Sequence, residues 1–428
     1  MRHALSTDLL DAAAGHGGHE AAAHAASCGV CARRLHQART VVTGLQEERA
    51  VRELLAKPAA AAPPAFAEQI RAVERAEQLA RDVLTSEAPV ASLRRYRDDP
   101  DAAWLLLFAA QRGATLAVQA PEKALELAEA LDAGATALAR GPVPVPEIRA
   151  EAALLASQAL LNQGRIDEAL ERSESARPLF AEAVDDGFGR ALCDYFSGNV
   201  LAYSGRYAAA RRLLVSARRA FAEFGQDHWI GRAELAFGTL LALQGRNAAA
   251  LPHLDNGLAM LDPDEDANAY AAGHVNRASL LAHQELYDAA RAGYAQALAV
   301  SKRHGFHVLT YAVRMGLTEI DFLRGEYGRA LPAYQELAAA AERQGLQEQV
   351  LLTRLFAAEC QARLGHVAEL QASLRELKRR VQPNPFQAPA LDELFAYLEK
   401  GDLDAGLIRH VRESLTGEQP YQRYRQTA

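Results

Sequence analysis

A short phrase that recurs six times constrains the fold of this 428-residue chain more than any other feature. Its start points are spaced by 41 residues once and by 40 residues thereafter, at positions 164, 205, 245, 285, 325 and 365. The phrase begins with Gly at five of these positions and with Glu at position 285. A fixed period of this length indicates a solenoid, in which each unit buries its apolar face only against its neighbours.

Each unit is predicted to consist of two antiparallel helices. In the second unit one apolar stripe at helical spacing ends at Gly205 and another begins at Tyr207. The Gly supplies a left-handed residue that ends the first helix. Polar segments such as residues 262–266 separate the units and are predicted to be loops. Ala, Leu, Arg and Glu dominate the chain and only 7% of it is aromatic, so an all-α fold is expected.

These residues resemble the tetratricopeptide repeat family, in its longer form with a period near 40. The family's pattern of Gly, Gly, Tyr and Ala is matched by Gly198, Gly205, Tyr207 and Ala210. The resemblance covers residues 146–381 well and residues 66–140 weakly, as degenerate repeats or a cap. It implies a right-handed α-solenoid that binds proteins or peptides and carries out no chemistry of its own.

The resemblance also implies that the first helix of each pair lines a concave groove. Polar residues recur six positions before each turn position, namely Gln158, Asn199, Thr239, Ser279, Glu319 and Glu359. A bound peptide backbone would satisfy such a polar row, although a row that simply faces solvent is an equal alternative. Four further residues could bind charged groups of a ligand in the groove, namely Arg232, Asn276, Arg314 and Arg363.

A candidate metal site lies in the N-terminal head, residues 1–57. His24 and Cys28 are one helical turn apart, and Cys31 follows three residues later. Zinc prefers four such ligands in a tetrahedral site, so the head is expected to hold one structural zinc ion. The fourth ligand is expected among the other histidines of the head, first His3, then His19 or His16. A redox dithiol and a pair of inert buried thiols are the alternatives, and the first lacks its usual βαβ context.

The head as a whole resembles the zinc-binding anti-sigma domain of bacteria, through His24, Cys28 and Cys31 and a predicted first helix near residues 6–10. The resemblance implies that the head captures an extracytoplasmic-function sigma factor. The Gly- and His-rich loop at residues 15–19 is shorter than the family's pattern, which affects the fourth ligand and the geometry of sigma-factor binding.

The remaining boundaries follow from proline-rich segments. A hinge at residues 58–65 separates the head from the body, and residues 382–428 are predicted to form a helical cap and a tail. The net charge of −7 argues against direct nucleic-acid binding. The most apolar run, residues 102–110, is too short to span a membrane, and four cysteines are too few for a disulfide framework. A cytoplasmic location is therefore expected, with Cys193 and Cys360 in the apolar core.

Two functions remain open at this stage. The first is a bacterial regulator or adaptor whose groove binds one protein while its zinc head captures another, such as a sigma factor. The alternative is a scaffold that recruits substrates for a separately encoded enzyme, with a purely structural zinc module. No catalytic residue is predicted, because the chain has neither a phosphate-binding GxxxxGK[ST] loop nor a GxSxG motif.

Overall fold

The computed structural model describes residues 64–96, 98–138, 143–183, 187–343, 346–381, 387–401 and 403–416. These residues form nineteen helices, and no strand occurs among them. The all-α prediction is therefore confirmed for this part of the chain. The predicted head, with its metal ligands His3, His24, Cys28 and Cys31, lies outside the described residues.

The first five helices form the region that precedes the regular repeats. They are α1 (Pro64–Thr85), α2 (Pro89–Arg94), α3 (Ala102–Arg112), α4 (Ala114–Gln119) and α5 (Pro121–Ala137). Leu105, Leu127 and Leu131 are fully buried in the core that α1, α3 and α5 share. The backbone of α1 begins at Pro64, inside the predicted hinge, where proline suits the first turn of a helix.

Six helix pairs follow in chain order. They are α6 (Val145–Asn162) with α7 (Ile166–Ala183), α8 (Phe188–Tyr203) with α9 (Tyr207–Glu223), α10 (Asp227–Leu243) with α11 (Asn247–Ala259), α12 (Ala267–His283) with α13 (Tyr287–Arg303), α14 (His307–Leu323) with α15 (Tyr327–Arg343), and α16 (Gln347–Arg363) with α17 (Val367–Arg380). We call the first member of each pair an inner helix and the second an outer helix. Two further helices, α18 (Ala388–Lys400) and α19 (Ala405–Thr416), complete the described chain.

The same backbone turn ends the inner helix of every unit. At Gly205 the left-handed residue donates its N–H to the carbonyl of Ala202 at 3.2 Å, and Arg206 donates to Leu201 at 3.0 Å. These two bonds form a Schellman motif, which satisfies carbonyls that the helix end leaves free. The pair of bonds recurs at the turn residues 164, 245, 285, 325 and 365. Glu285 adopts the glycine conformation, with a φ angle of 61°.

In the second and third units the two helices cross closely where the inner helix carries the glycine of the repeat pattern. A Cβ atom on Gly238 would lie 2.6 Å from Leu254 side-chain atoms, and one on Gly198 would lie 2.9 Å from Leu214. Ala210 and Ala250, five residues after the turn, are fully buried at the same crossings. Small residues at these points therefore let the helices approach, as the sequence pattern predicts.

The array curves with its inner helices on the inside. Each of α8, α10 and α12 contacts the next inner helix along the array. The curvature brings α14 back against α4, where the backbone N–H of His307 donates to Oε1 of Gln119 at 3.3 Å. Helices that are far apart in sequence thus meet across the inner side of the solenoid.

Ion pairs tie the outer helix of one unit to the inner helix of the next. Arg177 pairs with Asp194 at 2.6 Å, and Arg218 pairs with Glu234 at 2.6 Å from the same register one unit later. The Arg218 guanidinium thus contacts a nearly buried carboxylate. At the same register in the next unit stands His274, whose pKa is lowered to about 4 by burial. A neutral imidazole thus replaces the acid there.

We predict that Glu285→Gly stabilises the protein. A left-handed backbone costs a side-chain-bearing residue roughly 1–2 kcal/mol, and glycine removes that cost. The midpoint of urea unfolding should therefore rise, by an amount that corresponds to about 1 kcal/mol in the free energy of unfolding. The reciprocal change Gly245→Glu serves as the matched control, because Gly245 has a left-handed φ angle of 74°, which residues with a side chain rarely adopt. It should lower the midpoint, and a lowered midpoint for Glu285→Gly would contradict the account.

Candidate functional site

The predicted polar row lies on the inner helices, on the side away from the outer helices. Ala357 and Gln361 of α16 line a cleft between α15 and α17. Glu359 stands midway between them and projects to the opposite side of the helix, because successive residues are about 100° apart. The row is therefore brought together on one face of the solenoid, which we call the inner face.

The six members of the row differ in exposure. Gln158 and Asn199 are half-buried, whereas Thr239 and Glu319 are 7% and 6% exposed. Ser279 and Glu359 are each 1% exposed. The row thus does not face solvent evenly, and its use by a ligand stays a prediction that rests mainly on its first two members.

Several members of the row are bonded within the chain. The hydroxyl of Thr239 donates to the carbonyl of Leu235 at 2.9 Å and accepts a bond from Asn276 at 3.3 Å. Asn199 donates to the carbonyl of Tyr195 at 3.0 Å. These bonds satisfy buried polar atoms without a ligand.

The four additional residues that were predicted to bind charged groups of a ligand also form ion pairs or hydrogen bonds within the chain. Arg232 pairs with Asp266, Asn276 bonds to Thr239, Arg314 pairs with Glu336, and Arg363 pairs with Glu359. Arg232 is the least exposed of the three arginines, and Asp266, which is only 5% exposed, accepts two bonds from it, at 2.8 and 3.0 Å.

An aromatic patch adjoins the row and was not predicted as a site from the sequence. Tyr195 lies one helical turn before Asn199, and its ring centre is 5.5 Å from that of Trp229. Phe196 also packs against Trp229, at 6.4 Å. The Arg232 guanidinium lies 4.9 Å from the Trp229 ring, within cation–π range. All three side chains are half-buried: they pack against the buried core of this part of the array, and part of each stays exposed to solvent.

The aromatic patch escaped the sequence analysis because its residues belong to the regular apolar stripe of each helix. One available signal was Trp229, which is one of only two tryptophans in the chain. Partly exposed aromatic residues beside an arginine are typical of the centre of a protein interface.

A carboxyl group lies farther along the same inner face. Glu151 stands two helical turns before Gln158, and its Oε1 accepts a bond from Gln111 of α3 at 3.3 Å. Burial is the main cause that raises the pKa of Glu151 to about 7, and the nearby Glu147 adds to it. The charge of the inner face therefore changes near neutral pH.

The described residues contain no group of three or more His, Cys, Asp and Glu side chains arranged to hold a metal ion. Cys193 and Cys360 are fully buried free thiols in the core, as predicted, and burial raises the pKa of each to about 12. No helix within the described ranges is long and apolar enough to cross a bilayer.

No protein-family model matches the chain, and no curated protein matches it by sequence. Solved structures do share its fold. One is a Rap protein complexed with Competence and Sporulation Factor, with a TM-score of 0.50 and 15% identity over 81% of this chain and 99% of that one.

A second is a signal transduction ATPase with numerous domains that carries a tetratricopeptide repeat sensor, from Pyrococcus horikoshii. Its TM-score is 0.54, with 13% identity over 80% of this chain and 52% of that one. The chain thus spans about half of that protein. These likenesses show that the described residues form a tetratricopeptide-like helical repeat solenoid.

We predict that Glu151 makes the stability of the protein depend on pH. Its folded pKa is raised above the unfolded value, so the folded state binds the extra proton and loses stability as the pH rises from about 4.5 to 7. Glu151→Gln should raise the free energy of unfolding at pH 8, by no more than about 1 kcal/mol because the side chain is half-buried.

The measurement is urea unfolding at pH 8 and pH 5. The gain from Glu151→Gln should shrink at pH 5, where the wild-type carboxyl is protonated. Glu174→Gln, at an exposed position of α7, is the matched control and should show no such difference. An equal gain at both pH values would contradict the raised pKa.

Proposed function

We propose that the protein is a non-enzymatic bacterial adaptor or regulator that binds a protein or peptide on its inner face. The observation that carries this proposal is the aromatic patch of Tyr195, Phe196 and Trp229, which adjoins the half-buried Asn199. Gln158, also half-buried, holds the same position of the row one unit earlier. Large half-exposed rings supply binding energy, and the nearby amides can bond to a peptide backbone. A location in the cytoplasm belongs to the same proposal.

The likeness to other solenoids supports this proposal at the level of fold. The Rap protein was solved with Competence and Sporulation Factor bound, and the repeat of the Pyrococcus horikoshii protein is described as a sensor. A solenoid offers a long curved surface, and its use for binding is the common role of such folds.

We further propose that the head, residues 1–57, holds one structural zinc ion through His24, Cys28 and Cys31, with His3 as the fourth ligand and His16 or His19 as alternates. The donor set supports zinc, because one imidazole and two thiolates are the ligands that zinc prefers. A closed site of four ligands would stabilise the fold of the head. This head would capture an extracytoplasmic-function sigma factor; in the alternative function it is purely structural and the solenoid recruits substrates for a separate enzyme.

The zinc content of the full chain tests the head. Protein purified without chelators should contain about one zinc ion per chain by elemental mass spectrometry. Cys28→Ala with Cys31→Ala should abolish it, whereas Cys193→Ala with Cys360→Ala removes two buried thiols outside the site and should leave it unchanged. Single changes of His3, His16 and His19 to Ala identify the fourth ligand. Zinc-free wild-type protein would contradict the proposal.

Affinity purification from the native host tests the partners. We expect the wild-type chain to recover a sigma factor and the Cys28→Ala, Cys31→Ala chain to lose it while keeping partners of the solenoid.

A second pair of variants tests the inner face. The chain with Gln158→Arg and Asn199→Arg should lose the partners of the solenoid. The control chain, with Glu174→Arg and Arg212→Glu at exposed positions of outer helices, should keep them. A sigma factor retained by the zinc-site variant would favour the scaffold alternative. Partners retained by every variant would contradict binding at the inner face.

A further inference from the structure

A cleft lies between the outer helices α15 and α17, on the side of α16 that faces away from the inner face. Its volume is about 200 Å³, and Ala357 of α16 lines it between the two outer helices. At the same position, eight residues before the turn, the third unit carries Phe237, whose ring packs against His253 of α11 and Arg218 of α9. The cleft of the sixth unit therefore stays open because an alanine takes the place of a larger side chain.

A balanced network of charges closes one end of the cleft. Arg354 of α16 pairs with Glu342 of α15, and Arg380 of α17 lies 3.6 Å from Glu342 and 2.8 Å from Glu376. Two guanidinium groups thus face two carboxylates, and the four charges cancel. Nε of Arg354 is nevertheless buried without a hydrogen-bond partner among the residues that the structure describes. A ligand group that accepts a hydrogen bond would satisfy it.

A buried amide closes the other end. Gln361 lines the cleft, is only 3% exposed, and donates from Nε2 to the hydroxyl of Ser373 at 3.2 Å. Its Oε1 is buried and has no hydrogen-bond partner in the described part of the chain. If the amide is turned over, Ser373 donates to Oε1 and the amide nitrogen is left over instead. One amide atom therefore lacks a partner in either orientation, which is rare for a buried polar group.

The two ends and the walls define the chemistry of a ligand. Gln361 and Arg354 are two helical turns apart, which is roughly 10 Å along α16. A hydroxyl group both donates and accepts, so it suits the N–H at one end and either orientation of the amide at the other. A charged ligand is disfavoured, because the charges of the network already cancel. Between the ends, Ala338, Leu374 and Leu377 provide apolar walls for carbon atoms.

The size of the cleft limits the ligand to a small molecule. At about 200 Å³, the cleft is smaller than the ~300–1,000 Å³ that hold drug-sized ligands, and it has room for roughly seven water volumes. One sugar ring is of this size.

We propose that this cleft binds a small uncharged molecule with several hydroxyl groups, namely a monosaccharide or a cyclic polyol. Its hydroxyl groups bond to Gln361 and Ser373 at one end and to Nε of Arg354 at the other, and its carbon atoms lie on Ala357 and Leu374. The Gln361 amide turns toward the ligand about its last side-chain bond, where rotation is easy. The cleft lies on the side of α16 opposite the inner face, so this site is independent of the proposed function.

Saturation-transfer NMR on the full-length chain tests the site. The neutral probes are glucose, galactose, mannose, ribose and myo-inositol, and at least one of them should receive saturation from the protein. Glucosamine and glucuronate, which carry a charge, should bind at least about tenfold more weakly than the matching neutral sugar. Absence of transfer to every neutral probe would mean that the cleft holds only water and would overturn the proposal.

Three variants locate the bound probe. Gln361→Met keeps the length of the side chain but removes the amide, and should weaken binding at least about tenfold. Ala357→Leu introduces the side chain that the fifth unit carries at Leu317, and should abolish binding by filling the cleft. Ala156→Leu is the matched control, because Ala156 holds the same position in the first unit and lines the cleft over α6. It should leave binding unchanged. Binding that survives both Gln361→Met and Ala357→Leu would overturn the proposal.

Hydrogen exchange on the wild-type chain covers the case in which a variant does not fold. With the probe bound, amides of α15, α16 and α17 should exchange at least about twofold more slowly, because the ligand stabilises the closed state of these helices. Amides of α8 and α9 should be unaffected. Equal slowing throughout the chain would reflect the general stabilising effect of sugars on proteins and would overturn the proposal.

Discussion

The close crossing of two helices within each unit is the constraint on which the rest of the structure depends. Where the inner helix carries glycine at the crossing, as at Gly198 and Gly238, the outer helix approaches until its leucine fills the space of the missing side chain. Each unit can then bury its remaining apolar face only against the next unit, so the crossing distance sets how the units stack. The curved inner face follows from that stacking.

The packing of the helices differs toward the end of the array. The glycine position is taken by another residue in four of the six units, at Ser157, Ala278, Thr318 and Ala358, so the glycine alone does not account for the difference. The packing changes in the fifth and sixth units. There α15 makes its most extensive contact with α16, the inner helix of the next unit, rather than with its own partner α14. The outer helix of the sixth unit likewise shares α16 with α19. The inner face near this end is consequently built from packed helices and a buried ion pair.

The sequence predicted what is local and periodic. The turn positions and the helix pairs repeat about every 40 residues, and the structure confirms them, with Glu285 in the left-handed conformation of the glycines at the other turns. Contacts between residues that are far apart in the sequence produce no repeating pattern from which they could be predicted. Arg412 and Glu359 are 53 residues apart, and nothing near either residue indicates the other. The aromatic patch was likewise hidden, because its residues fit the apolar stripe expected of any inner helix.

A photo-crosslinking amino acid placed at Gln158 tests most directly whether the inner face is the functional surface. The matched position is Arg212, which lies exposed on the outer helix α9. In cells of the native host, the account predicts that a crosslinked protein forms from position 158 and not from position 212. Crosslinking from position 212 alone, or no difference between the two positions, would contradict it.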